Sequence, residues 1–545
     1  MALFVDHTDE RHWSGALPAM KIPVLIAGGG PVGMTLARTL SLFGVRCLLV
    51  ERNPTTTRHP KMDITNGRSM ELFRRLGLLD KLRAVAVPEE NNFDISWITS
   101  LTGRELHRFR YPSVVEKRAE IREKNDGTQP REPAMRVSQV MIEPVLRDAI
   151  LPNGEKSPLV DARWGTALED FVQDETGVTA TLRTMETGTT ETVRCDFLAG
   201  CDGGSSLVRD KLGIALDGRA AVTQRYMIHF QSDARDILQA FGVAWHYQTD
   251  KGTLIAQDDR DTWTLQTRPP AGVDPAAIDP DPILDAWVGR PFARKILVAN
   301  PWSTHLLLAE RYQAGRVFLA GDAAHQYIPT GGYGMNTGIG DAVDLGWKLA
   351  AAVKGFAGPR LLASYESERR PVGYRNRLAS ERHTGVRLKI AELYQTERDL
   401  DALARGIAAL GNAENESWGI EFGYRYDGVL GDPVAYEPTT APGARLPSTF
   451  LRDGSALYDR LGPWFTLLRF GDADPSPLID SAPVPLETVI VDDPSVAPIY
   501  EAKLVLVRPD THVAWRGNAC TDGRAVWAKV LFHPVIPTRA DHIRA

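Results

Sequence analysis

The fold is decided by the stretch LIAGGGPVGMTLARTLSLFGVRCLLVER, residues 25–52. Its pattern predicts a strand, a glycine turn, a helix and a second strand that ends in an acid, Glu51. Gly28 permits a tight turn, Gly30 lets the backbone approach a pyrophosphate, and Gly33 allows close packing of helix and strand. The helix N-terminus offers unpaired N–H groups to that pyrophosphate. The stretch therefore predicts an α/β domain that binds a dinucleotide, and it leaves nicotinamide and flavin cofactors equally open.

The composition is that of an ordinary globular enzyme and excludes several classes of function. The chain of 545 residues is too long for a single core, so we expect two to four domains. A net charge of -6 without a basic stripe argues against a nucleic-acid partner. The four cysteines show neither CxxC nor metal-type spacing, so we expect no metal site and a reducing compartment.

No apolar run in the sequence is long enough to cross a bilayer, so we expect no membrane span. The first twenty residues mix charges with single apolar residues, unlike a signal peptide. We therefore expect a cytoplasmic protein, and we expect it to form a homo-oligomer, a dimer or higher.

Two further motifs follow strands far downstream. LAGCDGGSSLVR contains Asp202-Gly203, and RVFLAGDAAHQYIPTGGYGMNTGIGDAVDLGWKL contains Gly321-Asp322 before a glycine-rich stretch and a helix. Alone, both dipeptides are common turn sequences. After strands, Asp322 is suited to bind cofactor hydroxyls, and the helix that follows the glycines can present N–H groups to a reduced, anionic flavin ring.

The order and spacing of the three motifs resemble one family, the FAD-dependent aromatic hydroxylases of the p-hydroxybenzoate hydroxylase type (group A flavoprotein monooxygenases). The resemblance covers about residues 22–370. The segments GGYGMNTGIGDAVDLGWKL, GYRYDGVL and APGARLP are similar to those of one branch of this family. That branch contains phenol 2-monooxygenase, 2,4-dichlorophenol hydroxylase and antibiotic-tailoring oxygenases. That branch carries a C-terminal thioredoxin-like domain. Here the tail lacks CxxC, so we expect it to serve packing or assembly.

The resemblance implies an α/β fold in which a Rossmann-like FAD-binding domain is interleaved with a β-sheet substrate domain, followed by the thioredoxin-like domain. We assign the FAD-binding domain to residues 20–90, 130–210 and 305–375, and the substrate-binding domain to residues 91–129 and 211–304. We assign a helical connection to 376–426, a linker to 427–447 and the thioredoxin-like domain to 448–545. We also expect an exposed excursion at 115–131 and a break near Pro371 in the helical pattern of 361–410.

The resemblance also implies which residues bind FAD. The expected residues are Gly28, Gly30, Pro31, Gly33, Glu51, Arg52, Lys61, Arg136, Gln139, Asp202, Gly203, Gly321, Asp322, Pro329, Gly331, Gly332, Met335 and Asn336. For Lys61 a solvated basic loop is an equal alternative. Because the sequence has no second GxGxxG, NADPH or NADH is expected to visit the flavin transiently as co-substrate.

Asp63, in RHPKMDITNGRSMELF, matches the active-site aspartate of phenol 2-monooxygenase and therefore points to a phenolic substrate. The ordinary pKa of Asp is about 4 and that of a phenol about 10, so full proton abstraction would cost ~8 kcal/mol. We expect Asp63 instead to accept a hydrogen bond from the phenol and to share its proton in the transition state. The alternative is an acid that stabilises a helix N-terminus.

The region from Tyr226 to Gln266 is expected to supply the sheet that covers the substrate. Within it we select His229 and Tyr247 as catalytic candidates; His246 and Trp263 are also available. Each of these is more often a packed sheet residue. His325 lies beside the GD motif and is left without a role.

The resemblance implies NAD(P)H- and O₂-dependent hydroxylation of a phenolic or polycyclic aromatic substrate, ortho to a hydroxyl, through a C4a-hydroperoxyflavin. Two alternatives remain open: a flavin oxygenase with other chemistry, such as a decarboxylating tailoring step, and a non-catalytic flavin-binding interaction protein. A halogenase is disfavoured, because no WxWxIP segment is present.

Overall fold

The computed structural model describes residues 22–154, 157–274, 277–356 and 359–531. The strands are β1 Ile22–Ala27, β2 Cys47–Glu51, β3 Ile64–Thr65, β4 Ile95–Ile98, β5 Glu105–Phe109, β6 Met135–Arg136, β7 Val160–Trp164, β8 Thr166–Asp174, β9 Gly177–Thr184, β10 Thr190–Gly200, β11 Leu216–Arg219, β12 Gln224–Gln231, β13 His246–Thr249, β14 Gly252–Ala256, β15 Thr262–Thr267, β16 Lys295–Ser303, β17 Leu306–Ala309, β18 Gln313–Ala314, β19 Val317–Leu319, β20 His325–Gln326, β21 Phe465–Phe470, β22 Leu486–Val491, β23 Leu504–Val507 and β24 Val513–Gly517.

The helices are α1 Pro31–Leu42, α2 Gly67–Arg75, α3 Leu79–Ala84, α4 Val114–Lys124, α5 Gln139–Ile150, α6 Leu207–Lys211, α7 Arg235–Leu238, α8 Pro280–Val288, α9 Tyr333–Val353, α10 Pro359–Thr396, α11 Leu400–Leu410, α12 Trp418–Phe422, α13 Ser476–Asp480 and α14 Gly523–Leu531. None of the helices in this part of the chain is long and apolar enough to span a bilayer.

The largest sheet has eight strands, and its central strands are parallel. Its main path runs β18-β19-β10-β1-β2-β7, and β9 and β8 extend it from β10. Strands β1 and β2 are continuous apolar runs buried on both faces, as expected for central strands covered by helices on either side. Helix α1 packs on α5 and α9, so the first strand and helix of the chain lie at the centre of this domain.

Four neighbouring parallel strands bring the predicted motifs to one edge of this sheet. Ala27 pairs with Val50 on one side and with Gly200 on the other, and Gly200 pairs with Leu319. The carboxyl ends of β2, β1, β10 and β19 are therefore level. Since ligands of open α/β sheets bind outside the carboxyl ends of the strands, this edge is the expected cofactor site.

A seven-stranded sheet, β16-β12-β15-β14-β13-β4-β5, forms a second layer. One face is apolar and packs with α8 around residues such as Phe230, Tyr247 and Trp263. The opposite face carries polar side chains, including His229, His246 and Thr264. A sheet with one apolar and one polar face indicates a core on the first side and a chamber or solvent on the second.

Two local expectations were wrong. The charged segment expected as an exposed excursion is buried at its end, at Gly127, Gln129 and Pro130, and it contains helix α4, which starts with a reciprocal capping box of Ser113 and Glu116. Helix α10 is not broken at Pro371. A proline inside a helix costs about 3 kcal/mol, but Tyr365, Arg369 and Val372 are buried on both sides of it and keep the helix continuous.

The C-terminal sheet has the order β22-β21-β23-β24, in which β21 and β22 are parallel and β23 and β24 run antiparallel to their neighbours. One face, where Phe465 contacts Trp527 of α14, belongs to the same core as the eight-stranded sheet, and the other face has its own apolar cluster. The predicted fold class, α/β with a C-terminal domain, is confirmed.

Buried ion pairs also join the C-terminal part to the rest of the molecule. Arg508, before β24, contacts Glu368 of α10 and Asp344 of α9. Arg445 lies in the segment 427–447, which has no helix or strand, and it is fully buried against Glu71 of α2. The C-terminal part of the chain is therefore held on α2, α9 and α10 by ion pairs that are largely buried.

Candidate functional site

The glycines of the first motif have different physical roles. Gly28 has φ +107°, and a Cβ there would lie 2.2 Å from the carbonyl oxygen of Cys201. A Cβ on Gly33 would lie 2.0 Å from the carbonyl oxygen of Gly28. A Cβ on Gly30 would meet nothing within 4 Å. Gly28 and Gly33 are thus required by packing, whereas Gly30 borders open space of the kind that a diphosphate needs.

Helix α1 begins beside that space with free backbone donors. Gly30 is its N-cap, no side chain caps the helix, Pro31 opens it, and its first turn holds no acid. An uncapped helix N-terminus attracts an anion through its N–H groups and its dipole.

Glu51 closes the turn from the end of β2. Its Oε2 accepts a hydrogen bond of 2.8 Å from the backbone N–H of Gly29, and its Oε1 accepts one of 2.9 Å from that of Asn53. The carboxylate is therefore fixed at the strand end, where the ribose hydroxyls were expected. The adjacent Arg52 is exposed.

The DG and GD motifs are tied to each other. Asp202 accepts hydrogen bonds from Ser206 Oγ (2.6 Å) and from the backbone N–H of Val208 (3.1 Å), so it orders the start of α6, and Gly203 beside it has φ +82°. Burial raises the pKa of Asp202. Arg209 donates to the carbonyl oxygens of Gly204 and Ala323 and so joins the two loops.

Asp322 points to the start of helix α9. The side chain is accessible to solvent, yet it lies in a recess where the surrounding protein raises its pKa. Its Oδ1 is 4.0 Å from the position of a Cβ on Gly334, in the first turn of α9. The neighbouring Gly321 packs on Val32 of α1, so the starts of α1 and α9 meet at the GD motif.

The glycine-rich segment forms a second uncapped helix N-terminus. Gly332, with φ +66°, is the N-cap of α9; no side chain caps this helix, and its first turn has no acid. Gly331 has φ +87°, Pro329 is exposed, and Met335 is partly buried. The backbone donors of α9 are thus as free as those of α1.

Asn336 links this segment to strand β3, which follows Asp63 directly. Its amide nitrogen donates to the carbonyl oxygens of Ile64 (3.1 Å) and Gly332 (2.7 Å), and its Oδ1 accepts from the backbone N–H of Asn66 (3.0 Å). Strand β3 is therefore held against the expected ring-binding segment by one amide side chain.

The remaining cofactor candidates are Gln139, Lys61 and Arg136. Gln139 opens α5 and donates to Glu143 over 2.7 Å. Burial raises the pKa of Glu143 and of Asp322, and the exposed Lys61 lies close enough to both carboxyls to oppose part of that rise. Arg136 is buried and bidentate to Asp259, at 2.7 and 2.9 Å, so its charge is already neutralised within the protein.

Asp63 is fixed by two donors from β13 and the residue before it. Its Oδ2 accepts hydrogen bonds of 3.0 Å from Trp245 Nε1 and of 3.0 Å from His246 Nε2. Within the described residues its Oδ1 has no hydrogen-bond partner, and the side chain is 19 % exposed. One carboxylate oxygen is therefore positioned by the protein while the other stays available.

The hydrogen bonds of His246 define its tautomer. Since a carboxylate only accepts, Nε2 carries the proton, and Nδ1 faces the Gln248 amide at 3.4 Å. Burial lowers the pKa of His246 below its usual value, which favours the neutral ring. His246 thus donates to Asp63 without adding a positive charge.

Strand alternation separates the two other catalytic candidates. His229 lies on the polar face, with Nδ1 3.0 Å from Thr264 Oγ1. Tyr247 lies on the apolar face, fully buried, with its hydroxyl donated to the carbonyl oxygen of Gly242. The structure therefore corrects the grouping of Tyr247 with His229, because the two-residue period of a strand turns Tyr247 away from the chamber and His246 toward it.

Sequence reasoning missed Asp341 and gave its partner His325 no role. Asp341 is fully buried and accepts hydrogen bonds from the Gly321 N–H (3.1 Å), His325 Nε2 (2.8 Å) and Arg369 Nε (2.8 Å). Arg369 holds the pKa of Asp341 below its usual value despite the burial, with His325 adding to the effect. The segment GIGDAVDLGW contained a signal for this residue, because an acid inside an apolar helix pattern is buried and needs a buried partner.

The site fits a bound FAD on grounds of geometry. Two uncapped helix N-termini, open space at Gly30 and an accessible Asp322 meet at one sheet edge. A diphosphate satisfies the donors of α1, and an electron-accepting ring satisfies those of α9.

Comparison with known proteins agrees with this geometry. Residues 21–378 match the family model "FAD binding domain", and residues 439–531 match "Aromatic-ring hydroxylase, C-terminal". The FAD-dependent monooxygenase apdD of Emericella nidulans is 38% identical over 91% of this chain and 87% of its own length. The tetracenomycin A2 monooxygenase-dioxygenase of Streptomyces glaucescens is 32% identical over 91% of this chain and 94% of its own length.

A solved structure, the rebeccamycin biosynthetic enzyme RebC with reduced flavin, superposes with a TM-score of 0.83 at 34% identity, and covers 94% of this chain and 99% of that one. The family model alone spans more than half of the chain, and the relatives align over nearly all of it. The chain therefore belongs to the FAD-dependent aromatic-ring monooxygenases.

Proposed function

We propose that the protein hydroxylates a phenolic or polycyclic aromatic substrate, ortho to a hydroxyl group, with FAD, NAD(P)H and O₂. Asp63 is the observation that carries the proposal. It lies one residue before Ile64, which contacts the start of α9, and it keeps Oδ1 free beside the polar face of the seven-stranded sheet. FAD, when bound, supplies oxygen in a form that electron-rich ring carbons can attack.

We propose that FAD lies along the sheet edge, with its diphosphate at Gly30 and α1, its ribose at Glu51 and its ring at Gly331, Gly332 and α9. Asp322 binds hydroxyls of the chain between them. Two helix dipoles then act on the two regions of FAD that carry or develop negative charge.

Asp63 Oδ1 accepts the hydrogen bond of the substrate hydroxyl and takes up part of its proton as the ring carbon attacks the oxygen. This raises electron density at the carbon ortho to the hydroxyl without a free phenolate. Trp245 and His246 hold Oδ2 and thereby fix the direction in which Oδ1 points. His229, on the same face, borders the ring, and the protein must exclude water there.

The test is NAD(P)H oxidation by the purified flavoprotein with simple phenols and polycyclic quinols, with product masses recorded. We expect a phenol to accelerate oxidation and to gain one oxygen. Asp63→Asn keeps an oxygen for Trp245 and His246 but presents a donor to the substrate, and Asp63→Ala removes both contacts. Both are expected to retain FAD and to hydroxylate about 10²- to 10⁴-fold more slowly.

Asp250→Asn, in the turn between β13 and β14, is the matched control, because it removes the same charge from the same sheet. NADPH consumption that yields only peroxide with every phenol would refute hydroxylation. Equal loss of FAD and activity in the Asp63 variants would assign Asp63 a structural role.

A further inference from the structure

The polar face of the seven-stranded sheet extends well beyond Asp63. On β12, Tyr226, Ile228 and Phe230 enter the apolar cluster, so Arg225, Met227 and His229 alternate onto the polar face. Trp302 of β16 is the cross-strand partner of Arg225, and its Nε1 donates to Gln266 over 3.1 Å. Arg225 therefore lies at the end of the face that carries His229.

Arg225 is a half-buried cation without an acid. Among the described residues it makes no hydrogen bond and no ion pair, and its charged neighbours are two further cations, Arg268 and Arg387. Arg387 is neutralised by Glu414, to which it is bidentate. Arg268, just after β15, is exposed and also has no partner within the described residues.

Most other arginines buried in the described part of the chain are ion-paired, and Arg375, which has no ion pair there, donates to the carbonyl oxygens of Gly419 and Asp432. Arg136 meets Asp259, Arg369 meets Asp341, and Arg508 meets three carboxylates. A cation taken out of water without a partner is costly, and two like charges beside it add to the cost. An anion supplied from outside would remove this cost.

The position of Arg225 relative to Asp63 sets the length of such a ligand. His246, Ile255, Thr264 and His229 form one cross-strand row, so β12 is three strands from β13. That is about 14 Å across, and Arg225 lies four residues, or about 13 Å, farther along β12. The Cα separation of His246 and Arg225 is therefore roughly 19 Å, which suits a bicyclic or larger substrate reached by two long side chains.

We propose that Arg225, with Arg268 beside it, binds a carboxylate at the far end of an elongated hydroxyaromatic substrate whose hydroxyl meets Asp63. The guanidinium matches a carboxylate with two parallel hydrogen bonds. The proposal rests on the proposed function, because it names the substrate class of the same chamber.

The test compares 6-hydroxy-2-naphthoate with its methyl ester, which differ only in the charged group. Binding to the FAD-loaded protein is followed by the change in flavin absorption, and hydroxylation by product mass. We expect the wild-type protein to bind the acid about 10- to 100-fold more tightly than the ester. Added salt should weaken the binding of the acid and leave that of the ester unchanged. Arg225→Met should remove this preference.

Arg225→Lys keeps the charge but not the paired geometry, so it should retain part of the preference and serves if Arg225→Met does not fold. Arg290→Met is the control, because Arg290 is an exposed arginine of the same sheet domain and has no partner in the described residues. This variant should bind the acid and the ester as the wild type does. Equal binding of acid and ester by the wild type would overturn the proposal, as would equal weakening of both by Arg225→Met. Hydroxylation of the ester alone would refute only this subsite, whereas inertness of both compounds would count against the proposed function itself.

Discussion

The two ends of helix α9 differ in how their polar groups are satisfied. At the N-terminal end the N-cap residue is Gly332, and no side chain caps the helix. The first turn has free backbone N–H donors and no acid. Farther along, Asp341, Asp344 and Lys348 are fully buried, and each is ion-paired. We expect a ligand to complete the first end, whereas the protein itself satisfies the second.

The same distinction separates the arginines. Arg508 is bonded to Asp344, Glu368 and Asp510, whereas Arg225 has no acid within the described part of the chain. We therefore expect the unpaired groups, Arg225 and the donors of α9, to contact ligands, whereas the paired Arg508 network holds the C-terminal domain. Breaking the paired set should cost stability, and disturbing the unpaired set should cost binding.

The largest loss of stability is expected for Arg508→Met. It leaves Asp344 and Glu368 with Lys348 as their remaining cation, and removing one partner of a buried ion network costs about 3–5 kcal/mol. Urea unfolding of the FAD-loaded protein measures the loss. Arg516→Met is the control, since its pair with Glu501 is partly exposed and contributes about 0–1 kcal/mol. Similar losses in the two variants would contradict the comparison.

His512 should make the C-terminal junction sensitive to acid. The ring is fully buried and lies 4.2 Å from the ring of Tyr426. Burial lowers the pKa of His512 to about 4 from 6.5. The unfolded chain therefore takes up this proton first as the pH falls, so stability present above pH 6.5 is lost between about 6.5 and 4.

We expect His512→Phe to remove this slope. The difference in unfolding free energy between wild type and variant should change by about 2 kcal/mol from pH 7.5 to pH 5, and by about 3 kcal/mol below pH 4. Asp510 faces the ring, and its carboxylate remains in the variant. A difference that does not change with pH would show that His512 is not the responsible group.

The glycine turn between β1 and α1 was predictable from sequence because its residues are local. Gly28, Gly30 and Gly33 lie within six positions of the chain, and close contacts require glycine at positions 28 and 33. The assembly of Asp63, Trp245 and His246 was not predictable, since strand register brings together residues about 180 positions apart in the chain. Strand alternation did show that His246 and Gln248 lie on one face and Tyr247 on the other, so the sequence held the information needed to choose His246 instead of Tyr247.

The junction charges were beyond prediction for a related reason. Asp344 and Lys348 are four residues apart on a helix and look like an ordinary surface pair. Only the contacts of Glu368 and Arg508, from another helix and another domain, show that the pair is buried.

The smallest change in stability is expected for Gly30→Ala. Its comparison with Gly33→Ala tests whether the space at Gly30 is left for a ligand. On Gly33 the methyl group would lie 2.0 Å from the carbonyl oxygen of Gly28, so FAD-free protein should lose about 1–3 kcal/mol. On Gly30 it meets no protein atom within 4 Å, so the loss should stay below about 1 kcal/mol, the cost of alanine at an N-cap.

FAD affinity should separate the variants differently. Gly30→Ala fills the space left for the diphosphate and should weaken FAD binding, measured by quenching of flavin fluorescence, although the fold is intact. Gly33→Ala should weaken binding only as far as it distorts the turn that presents the donors of α1. If Gly30→Ala binds FAD as tightly as the wild type, then the open space at Gly30 is not where the diphosphate lies. The N-terminus of α1, like the buried ion pairs of α9, would then be complete without a ligand.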